Sequence, residues 1–466
     1  MKTKLITHTE GSRRLILIFT GWSTSPDLYA HLRADGWDIM IVYDYTDLSP
    51  LPEDILSPYS TIFVLAWSLG VATAEAALSP YARRISAAFA VNGTLHPASD
   101  DFGIPSAIYE GTLRNLSPRN LLKFQKRISS PRDTFSFPLD PAYPENADID
   151  ALKAELHNIA SITNQENYYP ALPWKKAYIS SSDRIFPPES QRRAWKRLLC
   201  HSCIAEIDAG HYLPLQHVIN DITPDVALIG SHFRKALSTY DSNADAQGKI
   251  AITLLKMLPP DVKQDPQNIL EIGPGSGMLT RLLNKHITIA KASFIELYPL
   301  PEFRIAPEET YFTGDAEELI ETLSGFDLII SASTIQWFAD PARFFRNAFN
   351  ALKPGGALLC STFLPGNLRE LDAMRPTPLI YRTREELTQA LKEAGFTDIT
   401  TNEEEITKNF TSRRQLLLHL KSTGVAGGYT LPSSSPRGGT PHSASSPTIT
   451  TLTYCPLYIR ASRPSK

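Results

Sequence analysis

Twice along this chain an apolar strand runs without pause into a turn of small residues and then into a helix. The first junction is TIFVLAWSLGVATAEAAL, from Thr61 to Leu78, and the second is NILEIGPGSGMLTRLL, beginning at Asn268. A strand apolar on both faces needs cover on both sides, and a helix following directly supplies it. Each junction therefore predicts a mainly parallel sheet wrapped by helices. The surrounding sequence repeats the alternation. Strands are expected at 15–19, 38–44, 61–68, 87–93 and 176–183, then at 268–273, 292–297, 326–333 and 357–363. A chain of 466 residues exceeds the ~250–300 over which one core grows. Two α/β domains are expected, 1–228 and 229–466, joined somewhere between about 222 and 234.

Other features narrow the class. A net charge of −3 gives no field for nucleic acid. No stretch approaches the ~18 apolar residues of a membrane span, and Leu15–Phe19 is too short for a signal-peptide core. A soluble, cytoplasmic protein is expected. The Cys200-x-x-Cys203 pair lacks a second pair or a His at zinc spacing, so no metal is expected. Gly424–Thr450 is rich in Ser, Gly and Pro and predicts a mobile loop. Residues 452–461 read as a strand again, which puts that loop inside the second domain.

At the first junction, Ser68 stands in Ala66-Trp67-Ser68-Leu69-Gly70. This is the G-x-S-x-G turn that exposes a nucleophile at the top of an α/β-hydrolase sheet, with Ala for the first Gly. Two further residues follow in the order that fold uses. Asp183 comes just after the strand KAYISSSD, and His211 just after CIAEIDAG. His211 is placed to take the Ser68 proton and Asp183 to hold the imidazole. The main-chain N–H groups of Leu69 and Trp22 are the candidate oxyanion donors. His96 and Asp208 are rivals for the His and Asp, and Asp208 stands only three residues before His211.

At the second junction, Glu271 precedes Gly273, Gly275 and Gly277 in EIGPGSG. A lone glycine-rich turn is shared with dehydrogenases, but the Glu and the Pro favour the S-adenosylmethionine (SAM) form found in class I, Rossmann-like methyltransferases. Glycines let the backbone approach the amino-acid end of SAM, and Glu271 can face its cationic side. Glu296, at the end of the next strand, is a candidate acceptor for the ribose hydroxyls. Asp315, in Gly314-Asp315-Ala316, is a candidate for the adenine amine, and Gln336 and Trp337 follow the fourth strand.

With these residues in view, the second half resembles the BioC-type malonyl-acyl-carrier-protein O-methyltransferases of biotin synthesis. The matching pieces are Phe233-Arg234, Tyr240-Asp241-x-x-Ala244-x-Ala246-Gln247, EIGPGSG, Gly314-Asp315, Ile335-Gln336-Trp337-Phe338, Leu420-Lys421-x-x-Gly424 and Leu452-Thr453-Tyr454. The first half is similar to the BioG-type pimeloyl-carrier-protein methyl ester esterases, through Phe19-Thr20-Gly21-Trp22, Ala66–Val71, Asn92-Gly93-Thr94, Asp183–Phe186 and Gly210-His211. The resemblance implies methylation of the free carboxyl of a malonyl thioester and, after two elongation cycles by other enzymes, hydrolysis of the pimeloyl methyl ester. It also implies that Tyr240 and Gln247 close over SAM, with Gln336 and Trp337 near cofactor and substrate. The 424–450 segment does not match the family.

An acyl-carrier protein bearing the malonyl or pimeloyl methyl ester group is then the expected partner. It is acidic, so its dock should be locally basic. Arg114, Arg119, Lys123, Lys126 and Arg127 crowd one stretch of the first half; a solvated helix face explains them equally well. Arg413 and Arg414 are a weaker choice. Two alternatives stay open: another hydrolase, such as a thioesterase, beside a small-molecule methyltransferase, or an esterase half retained only to bind partners.

Overall fold

The structure, a computed structural model, describes residues 1–466 except 130–132, 139, 141, 163–167, 200–202, 261, 263–266, 375–378, 380, 426–449 and 466. Cys200 and nearly all of the expected 424–450 loop therefore lie outside the described residues.

Contacts divide the chain into Met1–Thr223 and Pro224–Lys466, a few residues ahead of the 228/229 join the sequence suggested. The helix Val226–Asn243 explains the difference. Asp225 caps its start by accepting from the Leu228 amide. Its Phe233 then lies where a side chain on Gly424 would point, so the whole helix packs with the second unit.

The first unit is built on a seven-stranded sheet. Its strands are β1 (Lys2–Thr7), β2 (Arg14–Phe19), β3 (Asp38–Tyr43), β4 (Thr61–Trp67), β5 (Ala87–Val91), β6 (Trp174–Ser180) and β7 (Ile204–Ile207), in the order β1-β3-β2-β4-β5-β6-β7. β1 is antiparallel to β3 and the remaining pairs are parallel. Every residue of β2, β4 and β5 is buried, as continuous apolar runs covered on both faces require. β1, with the sequence KTKLIT, is largely exposed, as suits an edge. Between β5 and β6 the chain leaves the sheet and forms helices at Ser106–Arg114, Pro118–Ile128, Tyr143–Asn146 and Ile149–Ala160, where a hydrolase cap belongs.

The second unit has its own seven-stranded sheet. β8 (Gln267–Ile272), β9 (Ile289–Glu296), β10 (Glu308–Thr313), β11 (Phe326–Ala332), β12 (Leu352–Phe363), β13 (Thr397–Glu403) and β16 (Pro456–Ser462) lie in the order β10-β9-β8-β11-β12-β16-β13. β16 runs antiparallel to both of its neighbours. The order reverses direction at β8, so ligands are expected beyond the carboxyl ends of β8 and β11. A short ribbon pairs β14 (Ile406–Asn409) with β15 (Thr451–Tyr454). The strand expected at 452–461 is therefore two pieces, β15 and β16, both integral to this unit.

Candidate active sites

In the first unit β4 ends at Trp67 and the helix Gly70–Leu78 starts three residues later. The reversal forces Ser68 to φ 60°, a strained backbone region that non-glycine residues rarely adopt. Gly70 has no substitute there, because a Cβ on it would stand 2.5 Å from the Phe19 carbonyl oxygen. Ala66 lies within β4 and is fully buried. The departure from the G-x-S-x-G pattern thus falls where a methyl group fits.

The turn aims Ser68 at His211, whose Nε2 is 2.9 Å from the serine Oγ. His211 Nδ1 is 2.8 Å from Asp183 Oδ2. All three residues are buried. Asp183 is held in turn: its Oδ1 accepts from the amides of Ile185 and Phe186, and its Oδ2 from Gln191 Nε2. The main-chain N–H groups of Trp22 and Leu69 have no partner among the described residues. The Trp22 indole donates instead to the Leu152 carbonyl, which leaves the backbone amide for a ligand. The rivals lie elsewhere. His96 packs against Phe102, and Asp208 accepts from Ser181.

Asn92 is the residue that the sequence argument did not single out by chemistry. It is fully buried, and its Nδ2 donates to the His211 carbonyl at 2.9 Å and to Ser180 Oγ at 2.8 Å. The Trp67 indole donates to the same carbonyl. Together they fix the backbone that carries the imidazole. The available signal was the position of Asn92 just past β5.

In the second unit β8 ends in the glycine turn, where Gly273, Gly275 and Gly277 all take positive φ. A Cβ built on Gly275 meets nothing nearer than the Tyr298 hydroxyl, at 4.0 Å, so the space in front of the loop is open. The Gly275 and Leu297 amides donate to the two oxygens of Glu296. Glu271 lies beneath the loop and accepts from the Thr280 hydroxyl at 2.7 Å, while its other oxygen is buried without a partner. Asp241 bonds Ser276 and pairs with Arg281, which ties the end of helix Val226–Asn243, and with it Tyr240, to the loop. Asp315 caps the helix Ala316–Leu319. Gln336 donates to the Ser333 carbonyl, and Trp337 meets Phe233 edge to face.

Four buried polar atoms here lack partners among the described residues: Gln247 Oε1, Glu271 Oε1, Gln336 Oε1 and Trp337 Nε1. Buried groups of this kind are costly unless a ligand completes them. Three acceptors and one donor around an open glycine loop fit a cationic, hydroxylated nucleoside such as SAM. Burial pushes the Glu271 carboxyl up to about 8 and that of Glu296 up to about 7. A cation favours the ionised form, so SAM affinity should rise as pH increases from 6 to 8.5. Calorimetric titration should show that rise in the wild type and a flatter profile in Glu271→Gln.

The comparisons agree with this division. Residues 1–220 match the family described as pimeloyl-ACP methyl esterase BioG, and residues 242–401 match a methyltransferase domain. A Bacteroides fragilis protein named malonyl-[acyl-carrier protein] O-methyltransferase is 34% identical over 426 residues, covering 89% of this chain and 84% of its own. An uncharacterised Haemophilus influenzae protein is 40% identical over 215 residues, 46% of this chain and 94% of its own. The crystal structure of BioG from Haemophilus influenzae shows 36% identity and a TM-score of 0.39, covering 46% of this chain and 94% of that one.

Proposed function

Because this chain belongs to the malonyl-[acyl-carrier protein] O-methyltransferase family, with a BioG-type esterase domain ahead of the methyltransferase, we propose that it places and later removes one methyl group on a carrier-bound acyl chain. The second unit methylates the free carboxyl of malonyl carrier protein. The first hydrolyses the methyl ester of pimeloyl carrier protein. Methylation hides a charge that fatty-acid elongation enzymes reject, and hydrolysis restores it when the chain is long enough. The observation that carries this reading is the coexistence of a complete Ser–His–Asp array and a nucleotide loop ringed by unmet polar atoms in one polypeptide.

In hydrolysis Ser68 Oγ attacks the ester carbonyl while His211 Nε2 accepts its proton. The oxyanion that forms is received by the Trp22 and Leu69 amides. His211 then protonates the departing methanol, leaving an acyl-enzyme. Water, deprotonated by the same nitrogen, attacks that ester, and Ser68 regains its proton as the free acid leaves. Asp183 needs only to hold His211 and stabilise its charged form.

For methyl transfer, Gly273, Gly275 and Gly277 admit the amino-acid end of SAM, Glu296 takes the ribose hydroxyls and Asp315 the adenine amine. Glu271, Tyr240, Gln247, Gln336 and Trp337 complete the enclosure. Bound there, SAM supplies an electrophilic methyl group. The malonyl carboxylate is already an anion and needs no general base, so the residues contribute position and the exclusion of water.

The docking face for the carrier protein belongs on the helix Pro118–Ile128. Its inner side packs Phe124 against Trp22, ring centroids 5.0 Å apart, and bonds Gln125 to the Ser23 carbonyl. Its outer side exposes Arg119, Lys123, Lys126 and Arg127, none of which has an ion-pair partner among the described residues. Arg114 is paired with Glu110. Changing the four to Glu should raise KM for the carrier-linked ester by about tenfold or more and weaken its salt dependence. Hydrolysis of a small methyl ester should stay near wild type, and an equal loss on both substrates would reject the dock.

The whole assignment is tested by mass spectrometry of two carrier substrates. Malonyl carrier protein with SAM should gain one methyl group, and pimeloyl carrier-protein methyl ester should lose one. If small esters are cleaved while neither carrier changes mass, the carrier-linked function is wrong.

A further inference from the structure

Ser68 and His211 stand 2.9 Å apart although 143 residues of chain separate them, so local sequence does not set that distance. The turn that follows β5 touches both. On the nucleophile side, the Ser68 amide donates to the Val91 carbonyl at 2.8 Å. A Cβ built on Gly93 would stand 2.1 Å from the Ser68 carbonyl oxygen, so the Gly93 backbone lies directly against the serine. The turn is also anchored from behind, where the Trp195 indole donates to the Gly93 carbonyl at 2.9 Å. On the base side, the Asn92 side chain reaches the His211 carbonyl at 2.9 Å and the Gly210 carbonyl at 3.4 Å.

The orientation of the Asn92 amide follows from its partners. Its Oδ1 accepts from the Ser180 amide at 2.8 Å, a group that can only donate. Its Nδ2 faces the two carbonyls, which can only accept, and the Ser180 hydroxyl. The main-chain N–H of Asn92 donates to the Tyr178 carbonyl at 2.9 Å. Tyr178 and Ser180 end β6, which leads straight to Asp183, and the Asp183 amide donates back to the Ser180 carbonyl. One buried side chain thus joins the loops of the base and the carboxylate, and its two sequence neighbours hold the nucleophile. Asn92 takes φ 46°, a left-handed conformation that Asn tolerates better than most residues. Such strain gathers where a backbone must be placed for function.

We infer that Val91–Gly93 is the spacer that sets the Ser68–His211 distance, with Asn92 as a positioning residue of the esterase that acts through the His211 backbone. This rests on the hydrolase reading above. Proton transfer from Ser68 to His211 depends steeply on their separation, whereas the ester carbonyl is received by other groups, the Trp22 and Leu69 amides. A displaced spacer should therefore slow the chemical steps and leave substrate binding alone. Misplacement of reacting groups by about 1 Å costs on the order of a hundredfold in rate.

The test is steady-state hydrolysis of a small methyl ester by the full chain, with fluorophosphonate labelling and thermal unfolding alongside. Asn92→Asp keeps the size of the side chain and its acceptor for Ser180, but sets an oxygen against the two carbonyls. Gly93→Ala pushes from the other end, with a methyl group against the Ser68 carbonyl. Each should lower kcat and kcat/KM equally, by about a hundredfold, with KM unchanged and labelling slowed in proportion. Labelling carried to completion counts the folded sites, so each rate is read per competent site. Asn92→Gly, which keeps the left-handed turn at no steric cost, stands in should Asn92→Asp not fold. Wild-type kcat per labelled site in a folded variant, with only a lower unfolding temperature, would leave the turn a structural role and overturn the inference. A loss confined to KM, or failure of all three variants to fold, would overturn it too. A wild-type chain that neither cleaves the ester nor takes the label would instead overturn the hydrolase reading on which it depends.

Discussion

Ser68→Ala is expected to lower hydrolysis of pimeloyl carrier-protein methyl ester by about 10^4-fold or more, the scale seen when a triad nucleophile is lost. Methylation of malonyl carrier protein by the same variant should proceed at the wild-type rate. The size of the first effect follows from geometry. Ser68 Oγ stands 2.9 Å from His211 Nε2, and the serine carries the attacking electron pair, so no neighbour can substitute for it. The structural cost should be small, because Ala keeps the Cβ and removes one hydroxyl whose partner, His211, is still bonded to Asp183. The backbone strain at φ 60° is common to Ser and Ala. Mass spectrometry of both carrier substrates, with a fluorophosphonate probe on the esterase, reads all of this at once. Wild-type labelling that is lost in Ser68→Ala would identify the nucleophile. Retained hydrolysis in the variant would move the catalytic centre away from this turn, and wild-type chain that is never labelled would favour the partner-binding alternative.

The contrast between what was legible in the sequence and what was not has a physical basis. The strands β2, β4, β5, β8, β11 and β12 could be read directly because strands buried on both faces are continuous apolar runs. β1 and β13 could not, because KTKLIT and TDITTNE lie largely exposed at the sheet edges and carry little apolar signal. The residues near the two junctions were legible for another reason: a nucleophile turn and a glycine loop constrain the backbone itself, and that constraint shows as small residues at fixed spacing. Asn92 and Gln191 act by holding other groups across 119 and 8 residues of chain. Their partners are set by the fold and not by local spacing, so only the fold reveals them.

Gly273→Ala and Gly275→Ala should both abolish useful SAM binding, but in different ways that report on the loop. At Gly273 a Cβ would lie 2.4 Å from Thr334 Oγ1, at a backbone φ of 66°. Thr334 is tied to the Ala332 carbonyl at the end of β11, so the methyl group must push the loop away from the sheet or displace the turn that leads to Gln336. Strain of this kind costs about 1–3 kcal/mol per residue, and the misplaced loop then presents its amides wrongly. The Gly273→Ala chain should bind S-adenosylhomocysteine about a hundredfold more weakly, equivalent to roughly 2.7 kcal/mol, and the ligand-sensitive transition in scanning calorimetry should fall even without ligand. At Gly275 the added Cβ meets only open space up to the Tyr298 hydroxyl. Only its left-handed backbone resists the change in the free protein, so apo stability should fall less, while the methyl group enters the volume assigned to SAM and binding is lost by steric exclusion. Esterase activity should survive in both variants, since neither glycine belongs to the first unit. If Gly275→Ala binds S-adenosylhomocysteine as wild type does, the ligand does not sit against this loop. The four unmet polar atoms would then need a different occupant, and the methyltransferase assignment would have to rest on some other surface of the second unit.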